Sequence, residues 1–127
     1  MTGIALATGV SGAGAVGAAS RYFLDLLVTR RFPRAVPRGT MTVNIIGSSI
    51  LGLISGLVAH HHLAGVSNLI IGTGFCGGLT TASSAAFETA RLFHQGKTSA
   101  AAMTITFGIG TSCIAGAIGL GIGIGLI

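Results

Sequence analysis

Long apolar runs fill almost the whole chain, and short polar clusters cut them at three places. The apolar stretches run over about Ile4–Val28, Thr40–Ala59, Asn68–Phe93 and Ser99–Ile127. Each reaches about the 20 residues that a helix needs to cross ~30 Å of hydrocarbon. The interruptions are Arg30-Arg31-Phe32-Pro33-Arg34-Ala35-Val36-Pro37-Arg38, then His60-His61-His62, then Gln95-Gly96-Lys97. Runs such as Ile45-Ile46 and Leu69-Ile70-Ile71 do not alternate with polar residues, so they do not read as the strands of a membrane β-barrel. Only Gly119-Leu120-Gly121-Ile122-Gly123-Ile124-Gly125 alternates, and it reads as the glycine-rich end of the fourth helix. The pattern predicts an all-α membrane protein of four transmembrane helices in one unit, residues 1–127.

Composition strengthens that reading. Only 7% of the 127 residues are charged, where a soluble domain carries about 25%. Hydrophobic residues make up 50% and mean hydropathy is +0.87. Too few polar side chains remain to coat a water-soluble fold. The first cation is Arg21, so the amino terminus is not expected to be a secretory signal, which opens on a basic region. Cys76 and Cys113 lie inside spans without a CxxC spacing and read as small packing residues.

The net charge of +5 suggests a topology signal more than a nucleic-acid partner. Arg30, Arg31, Arg34 and Arg38 follow the first span, and Arg91 and Lys97 flank the loop after the third. Those two loops share one side of the membrane. The other side holds both termini and the histidine loop, without Lys or Arg. The positive-inside rule then places both termini outside the cytoplasm.

Two segments match the dinucleotide fingerprint GxGxxG, at Gly12–Gly17 and Gly72–Gly77. The fingerprint also requires a βαβ unit and an acid about 20 residues on. The only acids, Asp25 and Glu88, stand at neither distance. Close helix packing explains the glycines better. Small residues recur every fourth position as Gly9, Ala13, Gly17; as Ser48, Gly52, Gly56; and as Gly108, Ser112, Gly116.

Polar groups within a span are costly and point to function or to buried pairing. Arg21 and Asp25 stand one turn apart and can pair along the first helix. Asn44 is either an interhelical hydrogen bond or a ligand group whose amide offers two N–H donors. In Gly74-Phe75-Cys76-Gly77-Gly78-Leu79-Thr80-Thr81, three glycines and two threonines fall near the middle of the third span. Such a segment can unwind and offer carbonyls to a cation, or stay helical with its hydroxyls bonded back to the backbone.

Gly39-Thr40 with Asn44, then Gly74 through Ser83, and Glu88-Thr89 resemble the Fluc (CrcB) fluoride channel family, as do Arg21 and the four-span plan. The resemblance implies a passive fluoride channel, not an enzyme, that exports cytoplasmic fluoride across the cell membrane. It also implies a break in the third helix and an antiparallel dimer around a structural sodium ion. By motif position, the Gly77 and Thr80 carbonyls would hold that sodium. Asn44, Ser83, Ser84 and Ser112 would line the anion pathway, with Arg21 and Glu88 in structural or gating roles.

The chain departs from the family at Ala82 and Ala85, where the resemblance implies pore phenylalanines, and at Thr104, where a tyrosine is frequent. Self-pairing in antiparallel fashion would need balanced loop cations, and these are biased. Both features favour a homologous second subunit over a second copy of this chain. Two rivals are a non-conducting structural subunit and a small multidrug exporter. The exporter is the weaker, since Asp25 lies near the end of its span and the chain has no Trp and one Tyr.

Overall fold

A computed structural model describes residues 2–32, 37–60 and 62–125. Arg34 and both residues beyond Gly125 in the expected fourth span lie outside the described residues, as do Pro33 and His61. Among the described residues, four helical spans are long and apolar enough to cross a membrane. Helix α1 is Gly3–Arg31 and α2 is Arg38–Ala59. The third span, Gly65–His94, is composite. One turn of α3 (Gly65–Ser67) leads into a π-helical stretch, Asn68–Cys76, then α4 (Gly77–Leu79) and, past a break, α5 (Ala82–His94). Helix α6 (Thr98–Gly125) is the fourth. Among the described residues no strand occurs, and the alternating glycines near the carboxyl end are helical.

Local chemistry explains the ends. Thr2 caps α1 by accepting from the Ala5 N–H at 3.1 Å, which satisfies one of the unpaired amides of a first turn. Helix α5 ends in a Schellman turn. Lys97 N–H reaches the Leu92 carbonyl at 2.9 Å and Gly96 N–H the Phe93 carbonyl at 3.1 Å. Gly96 takes φ 75°, a left-handed conformation that glycine adopts without a Cβ penalty.

The packing inverts that of a soluble bundle. Large apolar side chains such as Ile4, Phe23, Leu27, Phe107, Ile114 and Ile118 point outward, while few side chains are fully buried. Backbones meet directly instead. Helices α2 and α6 form the most extensive pairing. A methyl on Gly52 would overlap the Gly116 carbonyl, and one on Gly119 the Ser49 carbonyl. Lipid supplies no hydrophobic drive between helices, so close approach of small residues must hold them.

The stripe expected on α2 and the Ala13 and Gly17 part of that on α1 lie in such contacts, Gly9 meets only the Ile70 side chain, and the α6 stripe is displaced. Gly116 faces Ser48, but the close approach continues through Gly119 and Gly123, and Gly108 meets nothing. The two GxGxxG segments pack against each other. A methyl on Gly17 would strike the Phe75 carbonyl, and one on Gly74 would come within 2.8 Å of the Val10 carbonyl. The π-helical stretch widens the turn where this contact forms, a geometry that apolar periodicity does not encode.

Candidate functional site

The third span breaks at two residues. Thr80 (φ −83°, ψ 158°) and Thr81 (φ −153°, ψ 120°) are extended. The Thr80 N–H still closes a helical bond on the Cys76 carbonyl at 2.9 Å. In a continuous helix the next N–H, that of Thr81, would bond the Gly77 carbonyl. It turns to Asn44 Oδ1 instead, at 2.7 Å. Asn44 Nδ2 donates back to the Thr81 carbonyl at 3.0 Å, so one side-chain amide pairs both backbone groups of one residue, as a neighbouring strand would.

The break is held from two more sides. Arg21 Nη1 donates to the Thr80 carbonyl at 3.4 Å. Thr81 restarts the helix as N-cap of α5, its hydroxyl accepting from the Ser84 N–H at 3.1 Å. Arg21 and Asp25 form no ion pair among the described residues. Arg21 reaches to the break, and Asp25 Oδ1 accepts from Thr29 at 3.4 Å. Asp25 is turned toward Gly39 of α2, and the Arg21 guanidinium meets a carbonyl that has lost its helical donor.

A groove of about 710 Å³ opens beside the break, between α2, α6 and the third span. Its polar wall carries Asn44, Ser48, Thr80, Thr81 and Ser112, and Ala82 and Ala85 leave its other side wide. The Ser112 hydroxyl is buried there without a partner among the described residues. A buried donor left unpaired costs about 1–3 kcal/mol, which marks Ser112 as a position suited to an acceptor that the chain itself does not supply. Thr104 also lines the groove, its hydroxyl bonded back to the Ala100 carbonyl at 2.7 Å.

Ser83 and Ser84 sit elsewhere. The Ser83 hydroxyl lies 3.3 Å from that of Thr81. Ser84 lines a smaller cavity of about 200 Å³ with Arg21, Asp25 and Thr40. Thr40 and Thr81 line both spaces and so form the wall between them. Thr40 also donates to Glu88 Oε1 at 3.0 Å, while Glu88 Oε2 is buried with no partner among the described residues. Neither Thr40, Thr81 nor Ser48 stood out as site residues in the sequence. A threonine just ahead of a helical run, as at Thr81, is the one signal available, since that is where N-caps fall.

The break also fits a hard cation. The N–H groups that would close on the Gly77, Gly78 and Leu79 carbonyls are all displaced by the extended residues, and no other donor among the described residues replaces them. Gly77 is exposed and borders the groove. Unwound carbonyls of this kind are the usual donors for sodium in membrane proteins. Among the described residues no three His, Cys, Asp or Glu side chains gather as an alternative.

The sequence model of one family, described as CrcB-like protein, Camphor Resistance (CrcB), matches residues 8–122. A Leifsonia xyli protein named fluoride-specific ion channel FluC 1 is 42% identical over 114 residues, covering 89% of this chain and 81% of its own. Bifidobacterium longum FluC 3, of the same name, is 35% identical over 106 residues, covering 84% and 88%. Cutibacterium acnes FluC 2 is 49% identical over 81 residues, covering 62% and 65%. With a family match over nearly its whole length and relatives this similar, the chain belongs to the CrcB family.

Proposed function

We propose that this chain is a subunit of a passive fluoride channel that lets cytoplasmic fluoride leave the cell. The observation that carries this reading is the groove beside the break. It holds Asn44 and the unpartnered Ser112 hydroxyl in one space at membrane depth. Fluoride is small and strongly hydrated, so a pathway must replace its water with hydrogen-bond donors. Asn44 spends one amide N–H on Thr81 and keeps a second for an anion. Hydrogen fluoride enters cells as the neutral weak acid and dissociates inside, and a passive path for the anion drains what is trapped.

The unpaired Gly77 carbonyl, with the Thr80 carbonyl that Arg21 also reaches, supports a sodium ion at the break. One chain supplies too few oxygens to surround it, and a second, antiparallel subunit would double them. The cation would place a fixed positive charge beside an anion path. Ser83 and Ser84 would extend the path from the break toward Thr40 and Glu88. The arginine-rich loops favour a single orientation with both termini outside the cytoplasm.

That single orientation supports a homologous second subunit of opposite charge bias, one whose aromatic side chains fill the space beside Ala82 and Ala85. The test is fluoride efflux from liposomes, read with a fluoride electrode. The assembled pair should release fluoride well above protein-free vesicles, and no release sinks the channel reading. The chain alone should release little. Rapid efflux from vesicles holding only this chain overturns the paired-subunit reading.

A second reading, a structural subunit that does not itself conduct, is favoured by Ala82 and Ala85, which leave the groove without aromatic edges. Under it, Asn44→Ala in the assembled complex leaves flux unchanged. Under the channel reading flux falls.

A further inference from the structure

Resting on the sodium reading above, we propose that Asn44 is the positioning residue that creates the cation site, in addition to any contact with the anion. The α4 ladder is intact up to the Thr80 N–H, which bonds the Cys76 carbonyl. The first bond lost is the one from Thr81 to Gly77, and the atom that takes its donor is Asn44 Oδ1, at 2.7 Å. Asn44 is anchored on a different span, in α2, so its pull on Thr81 acts from outside the broken helix. Releasing Thr81 lets its N–H return to the Gly77 carbonyl, which rewinds the helix by one residue and consumes the oxygen a cation would use.

Several observations fit no other division of labour as well. Thr81 is only 8% exposed although it lines both spaces, and its N–H is already paired with Asn44. The extended torsions of Thr80 and Thr81 are ordinary for any residue, so the backbone there is not locked by strain and needs a partner to stay open. Gly77 is exposed and borders the groove, so an ion in the groove can approach it. Arg21 touches the Thr80 carbonyl at 3.4 Å, near the outer limit of a hydrogen bond, and makes a weaker clasp than Asn44. The two ends of the Asn44 amide therefore divide their tasks. The acceptor oxygen holds the helix open for a cation, and the spare N–H faces the anion path.

This division separates in two variants. Asn44→Ala removes both tasks. Asn44→Asp, as the neutral acid, keeps an acceptor oxygen for the Thr81 N–H and one O–H donor for the Thr81 carbonyl, and loses the spare N–H. The assembled channel, labelled with ¹³C at the Gly77 carbonyl, is titrated with sodium against N-methylglucamine in detergent, and the carbonyl resonance is followed by NMR. Circular dichroism and elution volume confirm that each variant is folded. The wild-type resonance should move saturably with sodium. In Asn44→Ala the apparent sodium affinity should fall about 10- to 100-fold, the range for loss of a group that orients a metal ligand. Asn44→Asp should bind sodium at least as well as wild type, yet lose fluoride efflux along with Asn44→Ala. Wild-type affinity in Asn44→Ala, or affinity in Asn44→Asp as weak as in Asn44→Ala, overturns the proposal and leaves the channel reading standing. A wild-type Gly77 resonance indifferent to sodium removes the cation site itself, and the proposal with it.

Discussion

The Thr40 hydroxyl donates to Glu88 Oε1 at 3.0 Å, tying the first turn of α2 to the middle of α5. Thr40 is 4% exposed, so water does not share the bond. Glu88 Oε2 already lacks a partner, and removing the hydroxyl leaves the whole carboxyl unpaired. Thr40→Val keeps the shape and loses the donor. It should destabilise the folded chain by about 1–2 kcal/mol, between the modest values of hydrogen bonds inside membranes and those to charged groups in water. Thr40→Ser should lose less than half of that. Unfolding titrations in detergent compare the pair.

The backbone contacts between α2 and α6 separate sensitive glycines from indifferent ones. A methyl on Gly119 would overlap the Ser49 carbonyl, whereas one on Gly121 would meet nothing. Gly119→Ala should cost about 1–3 kcal/mol, the usual penalty of overpacking. Gly121→Ala should be neutral or stabilising by up to about 1 kcal/mol, through helix propensity. Elution profiles and melting curves of the two variants measure the contrast.

The outline of this fold was legible because lipid imposes it. Span lengths and arginine placement follow from hydrocarbon thickness and charge, and the predicted span from 40 to 59 differs from α2, Arg38–Ala59, only at its start. The break was legible as a choice between two states, since glycines and threonines at Gly77–Thr81 permit either. What decides between them is a partner 37 residues away, Asn44, and no local pattern reports a contact at that separation. The same holds for Arg21, whose nearest acid in sequence is Asp25 but whose hydrogen bond crosses to Thr80. The π-helical stretch was hidden because its apolar residues read equally well at an ordinary helical period. The α6 stripe shifted toward Gly119 and Gly123 because glycines are so dense there that several registers match.

The loop arginines give a prediction for topology. Replacing Arg30, Arg31, Arg34 and Arg38 with Gln removes four of the seven Lys and Arg residues of the chain. A reporter fused to the carboxyl end, active only outside the cytoplasm, should give a uniform signal in the parent. In the variant it should split between both orientations, as expected when the cation bias falls away.

Arg21 offers a check on the second clasp. Arg21→Lys keeps the charge but presents it as a compact ammonium on a shorter reach. Arg21→Met keeps most of the stem and loses the donor. If the bond to the Thr80 carbonyl supports the break, Arg21→Met should destabilise by about 1 kcal/mol, in the range of a single intramolecular hydrogen bond. Lys should recover part of the loss, and the same unfolding titrations measure it.

The wide groove beside Ala82 and Ala85 has a consequence for how this chain lives in a bilayer. Acyl tails solvate any apolar surface that no protein covers, and a concave surface constrains their packing more than a flat one. Association would then be an exchange in which a partner's side chains displace ordered tails and return them to bulk lipid. Its strength should track the tails as a solvent does. Short or branched chains that settle into the recess compete with assembly, and long straight chains that fit it badly promote assembly.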